Sequence, residues 1–264
     1  MTQTAIDFRD ESDALYALLE PLSDSDFERK TLFKDWTVND VLAHLHFFNL
    51  AADLTLEDGD AFLRLLNTLR SARDTGETLV AATDRMLDGV RGRALLALWH
   101  DGYRAMADHY AAADPKQRVK WAGPDMSVRS SVTARLMETW AHGQEIYDLL
   151  GVERRDRDRI RNIVVLGVNT FGWTFSNRGE EAPADKPYLR LTAPSGDLWE
   201  WHEPSDANFI EGSATAFCQV VTQTRNIADT GLKVVGHTAT RWMSVAQCFA
   251  GDPQTPPAPG MRHA

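Results

Sequence analysis

The hydrophobic pattern changes its period once along the chain, and this change limits the possible folds more than any other feature. From Ile6 to about Leu150, apolar residues recur at helical spacing and short polar breaks separate the runs. From Tyr188 onward, short β-rich runs bounded by Pro, Gly and Asp are interspersed with two helical segments. We therefore predict an α+β chain with a helical N-terminal domain and a smaller α+β C-terminal domain.

The helical part predicts a four-helix bundle. The first helix is expected to end at Pro21, Thr37 to cap the second, and a long helix to run from about Thr83 to Ala113. A fourth long helix follows the sequence GPDMS, and a further helix is expected from about residue 156 to 176. Long helices joined by short connections are typical of bundles.

The C-terminal part predicts a small sheet with helices. YLRLTAP, DLWEWHEP and ANFIEG predict three strands, and LKVVG predicts a fourth after a helix from Ser213 to about Asn226. ATRWMSVAQCFA predicts the last helix. We expect a helical metal-binding bundle over residues 1–178, a small α+β domain over 187–252 and a disordered proline-rich tail over 253–264.

Composition restricts the partners. The 38 acidic residues against 28 basic ones give a net charge of −10, which argues against a nucleic-acid partner. The first twenty residues show no basic region followed by an apolar one, so we expect no secretory signal, and no window approaches the ~18 apolar residues that a membrane span requires. Cys218 and Cys248 match no zinc or redox spacing and are expected in the core. We expect a cytoplasmic protein with a small-molecule partner; the sequence leaves the oligomeric state open.

Glu138 and His142 stand four residues apart in RLMETWAHGQEIYDLLG, a spacing that places both side chains on one helix face. Arg135 shares this face, whereas Leu136 and Trp140 lie on the other side. Taken alone, the pattern indicates a solvent-exposed face, because Glu and His fall at this spacing on many helices. The spacing also differs from the H-E-x-x-H motif of zinc proteases, which this chain lacks.

The second helix adds a third residue. His44 lies among apolar neighbours such as Val41 and Phe47, while His46 points the opposite way with Asn49 and is expected to face water. A buried imidazole needs a polar partner, which Glu138 and His142 of another helix would provide. Two histidines and one carboxylate form a plausible ligand set for zinc or a similar divalent ion, with an open position for water or a thiol. A metal-free buried polar network is the alternative.

The sequences around His44 and around Glu138 and His142 resemble those of a known family. DWTVNDVLAHL, followed about ninety residues later by METWAHGQEIYDLLG and then by a small α+β domain, is similar to the mycothiol-dependent maleylpyruvate isomerase-like proteins of the DinB-like metalloprotein superfamily. The resemblance extends from about Ala14 to Pro253, with VTQTRNIADT and AQCFAGDP carrying it through the C-terminal part. It is closest to a subgroup described only as metal-binding.

The resemblance implies a divalent metal, usually zinc, held by His44, Glu138 and His142. It also implies that the metal activates a low-molecular-weight thiol such as mycothiol for isomerisation or S-transfer on a small carboxylated substrate. The alternative is a metal-binding protein that sequesters a small ligand without turnover. Arg225, in TQTRN, lies where the family has an arginine near the active cleft, and its interpretation as a carboxylate clamp competes with capping of the last helix carbonyls. Asn162 replaces a histidine expected in the closest subgroup, so its role is open.

Overall fold

The computed structural model describes residues 2–122 and 125–262, so Gly123 and Pro124 of the predicted GPDMS break lie outside the described residues. The chain forms two compact units, Met1–Leu149 and Leu150–Ala264. The first is helical and the second combines helices with a sheet, which confirms the predicted α+β class. Within the described ranges, no helix is both long enough and apolar enough to span a membrane.

The N-terminal unit is a four-helix bundle with two accessory helices. Its elements are α1 (Gln3–Leu19), α2 (Val38–Glu57), α3 (Gly59–Asp74), α4 (Leu79–Met86), α5 (Gly92–Ala112), β1 (Arg118–Val119), β2 (Met126–Ser127) and α6 (Val128–Leu150). Helices α1 and α2 pack on α5, and α3 and α4 pack on α2. Hydrogen bonds tie α6 to α2, through Arg135 and Asn49, and to α5, through Ser131 and Tyr110. The bundle therefore comprises α1, α2, α5 and α6.

Helix α2 begins where the sequence predicts, because Thr37 forms a complete capping box with Asp40. The Thr37 hydroxyl accepts a hydrogen bond from the Asp40 backbone N–H at 3.1 Å, and the Asp40 carboxylate accepts one from the Thr37 N–H at 2.9 Å. Both donors would otherwise be unsatisfied at the helix end. This cap fixes the start of the helix that carries His44, two turns further along.

The single long helix expected over Thr83–Ala113 is interrupted. The chain leaves helical geometry between α4 and α5, where Asp88 and Gly89 have φ values of 55° and 67°, and Gly92, the first residue of α5, has a φ of 59°. Such positive φ angles end a right-handed helix, and glycine adopts them without steric cost. The sequence DGVRG carries this signal, and the helical spacing of the flanking apolar residues hides it.

The C-terminal unit has a four-stranded mixed sheet with helices packed beside it. Its elements are α7 (Arg161–Asn169), α8 (Phe171–Ser176), β3 (Tyr188–Thr192), β4 (Leu198–Trp201), β5 (Phe209–Ser213), α9 (Ala214–Val221), β6 (Lys233–Val235) and α10 (His237–Val245). The strand order is β4-β3-β5-β6; β3 pairs antiparallel with β4 and parallel with β5, and β5 pairs antiparallel with β6. All four predicted strands are confirmed.

Two helices of this unit are shorter than the sequence suggests. The helix expected over residues 156–176 is divided at Thr170 into α7 and α8, and the helix expected from Ser213 to Asn226 ends at Val221. Gln223 then has a φ of 58°, which turns the chain away from the helix axis. Arg225 therefore follows the helix instead of continuing its apolar stripe.

The unit boundary also differs from the expected one at residue 178. Helices α7 and α8 belong to the C-terminal unit, because α7 packs on α9 and the ring of Phe171 lies 5.0 Å from that of Trp242 in α10. The expected disorder of residues 253–264 is not seen as far as residue 262. Gln223 donates to the Gln254 carbonyl at 3.1 Å and Asn226 to the Pro257 carbonyl at 2.8 Å, so this segment is tied to the unit. His263 and Ala264 lie outside the described residues.

Candidate metal centre

The structure brings His44 of α2 together with Glu138 and His142 of α6. The Nε2 atoms of the two imidazoles lie 3.2 Å and 3.4 Å from the same oxygen, Oε2 of Glu138. One ligand atom from each residue lies within 4.8 Å of the others. The side chains of His44, Glu138 and His142 are 12%, 23% and 11% exposed, so the cluster is shielded and opens most at Glu138.

The donor set suits a divalent cation. Zinc bound by imidazole nitrogen and carboxylate oxygen at about 2.0–2.2 Å in tetrahedral geometry separates neighbouring ligand atoms by roughly 3.3 Å. The two nitrogen–oxygen distances of the cluster, 3.2 Å and 3.4 Å, agree with this spacing. Without a cation, the His44 contact is a hydrogen bond to the Glu138 carboxylate, and the His142 contact lies within ion-pair distance of the same carboxylate.

The protonation states at the cluster also suit a cation. Burial lowers the pKa of His44 to about 4, although the hydrogen bond to Glu138 acts in the opposite direction. Burial alone would raise the pKa of Glu138, but hydrogen bonds and charge interactions with His142 and His44 together hold that pKa well below its usual range. At neutral pH the cluster therefore offers a neutral His44 and an ionised Glu138, the forms that bind metals.

Three aromatic side chains, Phe33, Trp36 and Phe48, surround the two imidazoles and are called the aromatic wall below. Trp36 stacks on His142 with an interplanar angle of 10° and a centroid distance of 5.6 Å. Phe33 contacts His142 edge-on at 5.2 Å, and Phe48 lies 4.8 Å from His44. These rings fix the planes of both imidazoles and shield them from water, which strengthens electrostatic interactions in the cluster.

A tight hairpin ahead of α2 holds two residues of the aromatic wall. Trp36 donates its backbone N–H to the Phe33 carbonyl at 2.9 Å, and its own carbonyl accepts from Thr31 at 2.8 Å. Between them, Lys34 and Asp35 have φ values of 52° and 58°. A turn with two successive positive φ values normally uses glycine or asparagine. The chain thus adopts a strained turn here beside the cluster, as is common near functional sites.

His46 is buried, so the prediction that it faces water is wrong. It is only 5% exposed, and a Cβ added at Gly102 of α5 would lie 3.2 Å from its ring. The physical reason is that α5 covers the polar-looking face of α2. His46 therefore packs between helices and does not belong to the cluster. Asn49, expected beside it on the exposed face, is likewise buried and is hydrogen-bonded to Arg135.

Around Glu138, α6 is largely buried on both sides, so the exposed face that the pattern alone indicates is not found there, in agreement with the interpretation that includes His44. Leu136 and Trp140 are fully buried on one side, and Arg135 is only 2% exposed on the side of Glu138. Helical periodicity does not predict the burial of Arg135, because a charged residue on a polar helix face normally points into solvent. Its position one turn before Glu138 is the signal that was available.

Arg225 and Asn162 lie in the C-terminal unit. Arg225 is 8% exposed, and its Nη1 donates to the Thr224 carbonyl at 2.9 Å. Thr224 lies just beyond the last residue of α9, so this contact is similar to the predicted capping of the last helix carbonyls. The role of Arg225 as a carboxylate clamp stays a prediction. Asn162 donates to the Arg159 carbonyl at 2.9 Å within the first turn of α7. Cys218 and Cys248 are buried, as expected.

Comparisons with known proteins define the family. A family model described as mycothiol maleylpyruvate isomerase N-terminal domain matches residues 8–147. Two uncharacterised proteins from Mycobacterium tuberculosis, of strains CDC 1551 / Oshkosh and ATCC 25618 / H37Rv, are each 36% identical over 247 residues, covering 94% of this chain and 95% of the relative. The match to the family model includes His44 and Glu138 as well as His142.

Solved structures agree in fold. The crystal structure of the mycothiol-dependent maleylpyruvate isomerase is similar with a TM-score of 0.52 at 16% identity, covering 83% of this chain and 87% of that one. A histidine-to-alanine mutant of that isomerase is similar with a TM-score of 0.51 at 15% identity and the same coverage. At such identities the likeness concerns the fold, whereas the family model and the mycobacterial relatives establish the relationship: the chain belongs to the mycothiol maleylpyruvate isomerase N-terminal domain family.

Proposed function

We propose that this protein is an enzyme that uses a divalent metal, zinc in the first instance, to activate a low-molecular-weight thiol. The reaction would be isomerisation or S-transfer on a small carboxylated substrate, with mycothiol as the thiol. The observation that carries the proposal is the convergence of His44 and His142 on one oxygen of Glu138. Family membership supports the choice of thiol chemistry, and the isomerase with the similar fold is mycothiol-dependent by name.

His44, Glu138 and His142 would hold the metal, and three protein ligands would leave it able to bind a further ligand such as a thiol. When bound there, a divalent ion lowers the pKa of a coordinated thiol so that the thiolate is present at neutral pH. Glu138 contributes the only negative charge among the three ligands, and the two imidazoles remain neutral donors. A thiolate therefore finds a site that is still positively charged.

The aromatic wall would keep water away from the cluster and hold the imidazole planes in place. Excluding water strengthens the attraction between the cluster and an anionic thiol, and it protects a reactive thiolate from protonation. Arg225 would orient the carboxylate of the substrate, for which a planar guanidinium is suited. This role for Arg225 rests on its position in the family motif.

The direct test combines thiol binding with turnover. Tag-free protein is loaded with cobalt, and the visible spectrum is recorded while a thiol such as mycothiol is added. We expect a sulfur-to-cobalt charge-transfer band in the wild type and none in Glu138→Gln. His109→Ala serves as the matched control, because His109 lies on the exposed side of α5 and pairs with Asp53 outside the cluster. Absence of the band in metal-loaded wild type would refute thiol activation.

Turnover separates the enzyme from a protein that merely sequesters a ligand. Metal-loaded protein is incubated with thiol and a set of small unsaturated carboxylates, and the products are analysed by mass spectrometry and NMR. We expect a thiol-dependent, catalytic change in at least one substrate. Stoichiometric release of unchanged ligand across the set would instead establish binding without turnover.

A further inference from the structure

Arg135 is a buried cation that forms no ion pair with any of the described residues. It is 2% exposed; its Nε donates to Oδ1 of Asn49 at 3.0 Å, and its guanidinium carbon lies 5.9 Å from the ring centroid of Phe48. Its Nη2 is buried without a hydrogen-bond partner among the described residues. The Asn49 amide and the Phe48 ring are both uncharged. A buried guanidinium without a counter-charge is costly, so the protein retains here a group that an anion would satisfy.

This guanidinium adjoins the metal cluster. Arg135 lies three residues before Glu138 on α6, which places the two side chains on the same helix face. Phe48, over which Arg135 lies, is also the ring that contacts His44 at 4.8 Å. Burial lowers the pKa of Arg135 and the charge of Glu138 acts against this change, which indicates that the two groups sense each other electrostatically. Within the described part of the chain, however, Arg135 forms no ion pair.

The charge balance of the occupied site would require anions. A divalent ion and the Arg135 guanidinium carry three positive charges, against the single negative charge of Glu138 and two neutral imidazoles. A thiolate on the metal neutralises only part of this surplus. A second anionic group beside Arg135 would remove the rest, and the unpaired Nη2 is the donor for it.

We propose that Arg135 is an anion-binding residue of this site and that it holds a terminal carboxylate of the small substrate through Nη2. That the anion belongs to the substrate rests on the proposed function, whereas the anion site itself depends only on Arg135 and its surroundings. A carboxylate is favoured over larger anions because Arg135 is only 2% exposed, so its surroundings admit only a small group. With Nε already bonded to Asn49, the guanidinium is fixed in orientation before the anion arrives.

The test measures formate binding, since formate is the smallest carboxylate. Wild type, Arg135→Met, Arg135→Lys and the control Arg70→Met, an exposed arginine of α3, are each prepared metal-free and metal-loaded. Formate is titrated at constant ionic strength, and its dissociation constant is obtained from the thermal shift. We expect Arg135→Met to bind at least about tenfold more weakly than wild type, the factor that loss of one charge-assisted hydrogen bond gives. Arg70→Met should match wild type.

A second readout distinguishes binding from a structural role. In formate-free buffer, Arg135→Met should have a Tm close to that of wild type, because removal of an unpaired buried charge offsets the loss of the hydrogen bond to Asn49. Equal formate affinity in wild type and Arg135→Met, or no formate response in wild type, would overturn the proposal. If Arg135→Met does not fold, Arg135→Lys decides: weaker formate binding is expected, and unchanged affinity would refute the proposal.

Metal content of the same samples separates this proposal from the proposed function. Arg135→Met should retain the metal of the wild type, because Arg135 is not a ligand. A formate response that depends on Arg135 in protein unable to bind metal would leave the anion site standing and remove the metal enzyme. Metal binding together with a formate response that does not depend on Arg135 would refute the anion site and leave the proposed metal enzyme standing.

Discussion

Replacing Thr37 by alanine should destabilise the helix that carries His44. The change removes the hydroxyl that accepts from the Asp40 N–H at 3.1 Å and leaves that donor unsatisfied. The reciprocal bond, from the Thr37 N–H to the Asp40 carboxylate at 2.9 Å, does not use the threonine side chain and is retained. Loss of an N-cap threonine costs about 0.5–2 kcal/mol in general, and retention of half the box places the expected loss near 1 kcal/mol.

The assay is thermal unfolding of metal-free protein, followed by circular dichroism, so that metal affinity does not enter the comparison. A loss of about 1 kcal/mol corresponds to a decrease in Tm of roughly 2–4 °C for a domain of 150–250 residues. Thr68→Ala is the matched control, since Thr68 is an exposed residue inside α3 whose hydroxyl donates to the Arg64 carbonyl and caps no helix end. There alanine should be neutral or slightly stabilising.

Because Thr68→Ala removes a threonine that caps no helix, the comparison of the two variants measures the effect of helix capping. A Tm for Thr37→Ala equal to that of Thr68→Ala or of wild type would refute the conclusion that the capping box fixes the start of α2. The metal site would then need another explanation for the position of His44.

Three further perturbations test other parts of the structure. Gly167→Val should destabilise the C-terminal unit by about 1–3 kcal/mol through overpacking, because an added Cβ would lie 3.0 Å from two packed side chains. Gly172→Ala is the control, since Gly172 has open space around it and should not be destabilised. Equal urea midpoints for the two variants would contradict this prediction. The hydrogen bond to Asp53 raises the pKa of His109, so its stabilisation is complete below the unfolded-state value of about 6.5 and is lost as pH rises through the higher folded-state value. The Tm difference between wild type and His109→Asn should thus be larger at about pH 6 than at about pH 9, and a constant difference would refute the pairing. Trp36→Ala should accelerate metal loss to a chelator by about tenfold or more, since loss of a residue that orients a metal ligand commonly costs 10–100-fold in metal affinity. An unchanged rate of metal loss would show that stacking of Trp36 on His142 is dispensable.

Much of the fold could be predicted because its signals are local. Thr37 caps α2 through its own sequence neighbours, and the four strands follow from short β-rich runs between turn residues. Errors arose where a local signal was ambiguous. The positive-φ residues around Asp88 interrupt an otherwise helical pattern, and Gln223 ends α9 before the apolar spacing does.

In the candidate site, too, local signals in the sequence were informative and tertiary packing was not predictable. Glu138 and His142 share a helix turn, so their spacing could be read directly, and His44 was identified from its apolar neighbours. His46 and Arg135 could not be placed, because α5 covers the polar-looking face of α2 that carries His46, and Asn49 and Phe48 of α2 lie against Arg135 on α6. Periodicity reports the character of a face, and only tertiary packing decides what covers it.

The metal content of tag-free protein tests the central claim most directly. Wild type, His44→Ala, His142→Ala and the control His109→Ala are purified without metal-chelating tags, loaded with zinc, dialysed and analysed by elemental mass spectrometry. Our account predicts about one zinc per chain in wild type and His109→Ala, and a loss of most of it in both cluster variants because two remaining ligands hold zinc poorly. Full zinc content in both His44→Ala and His142→Ala, or metal-free wild type after loading, would contradict it.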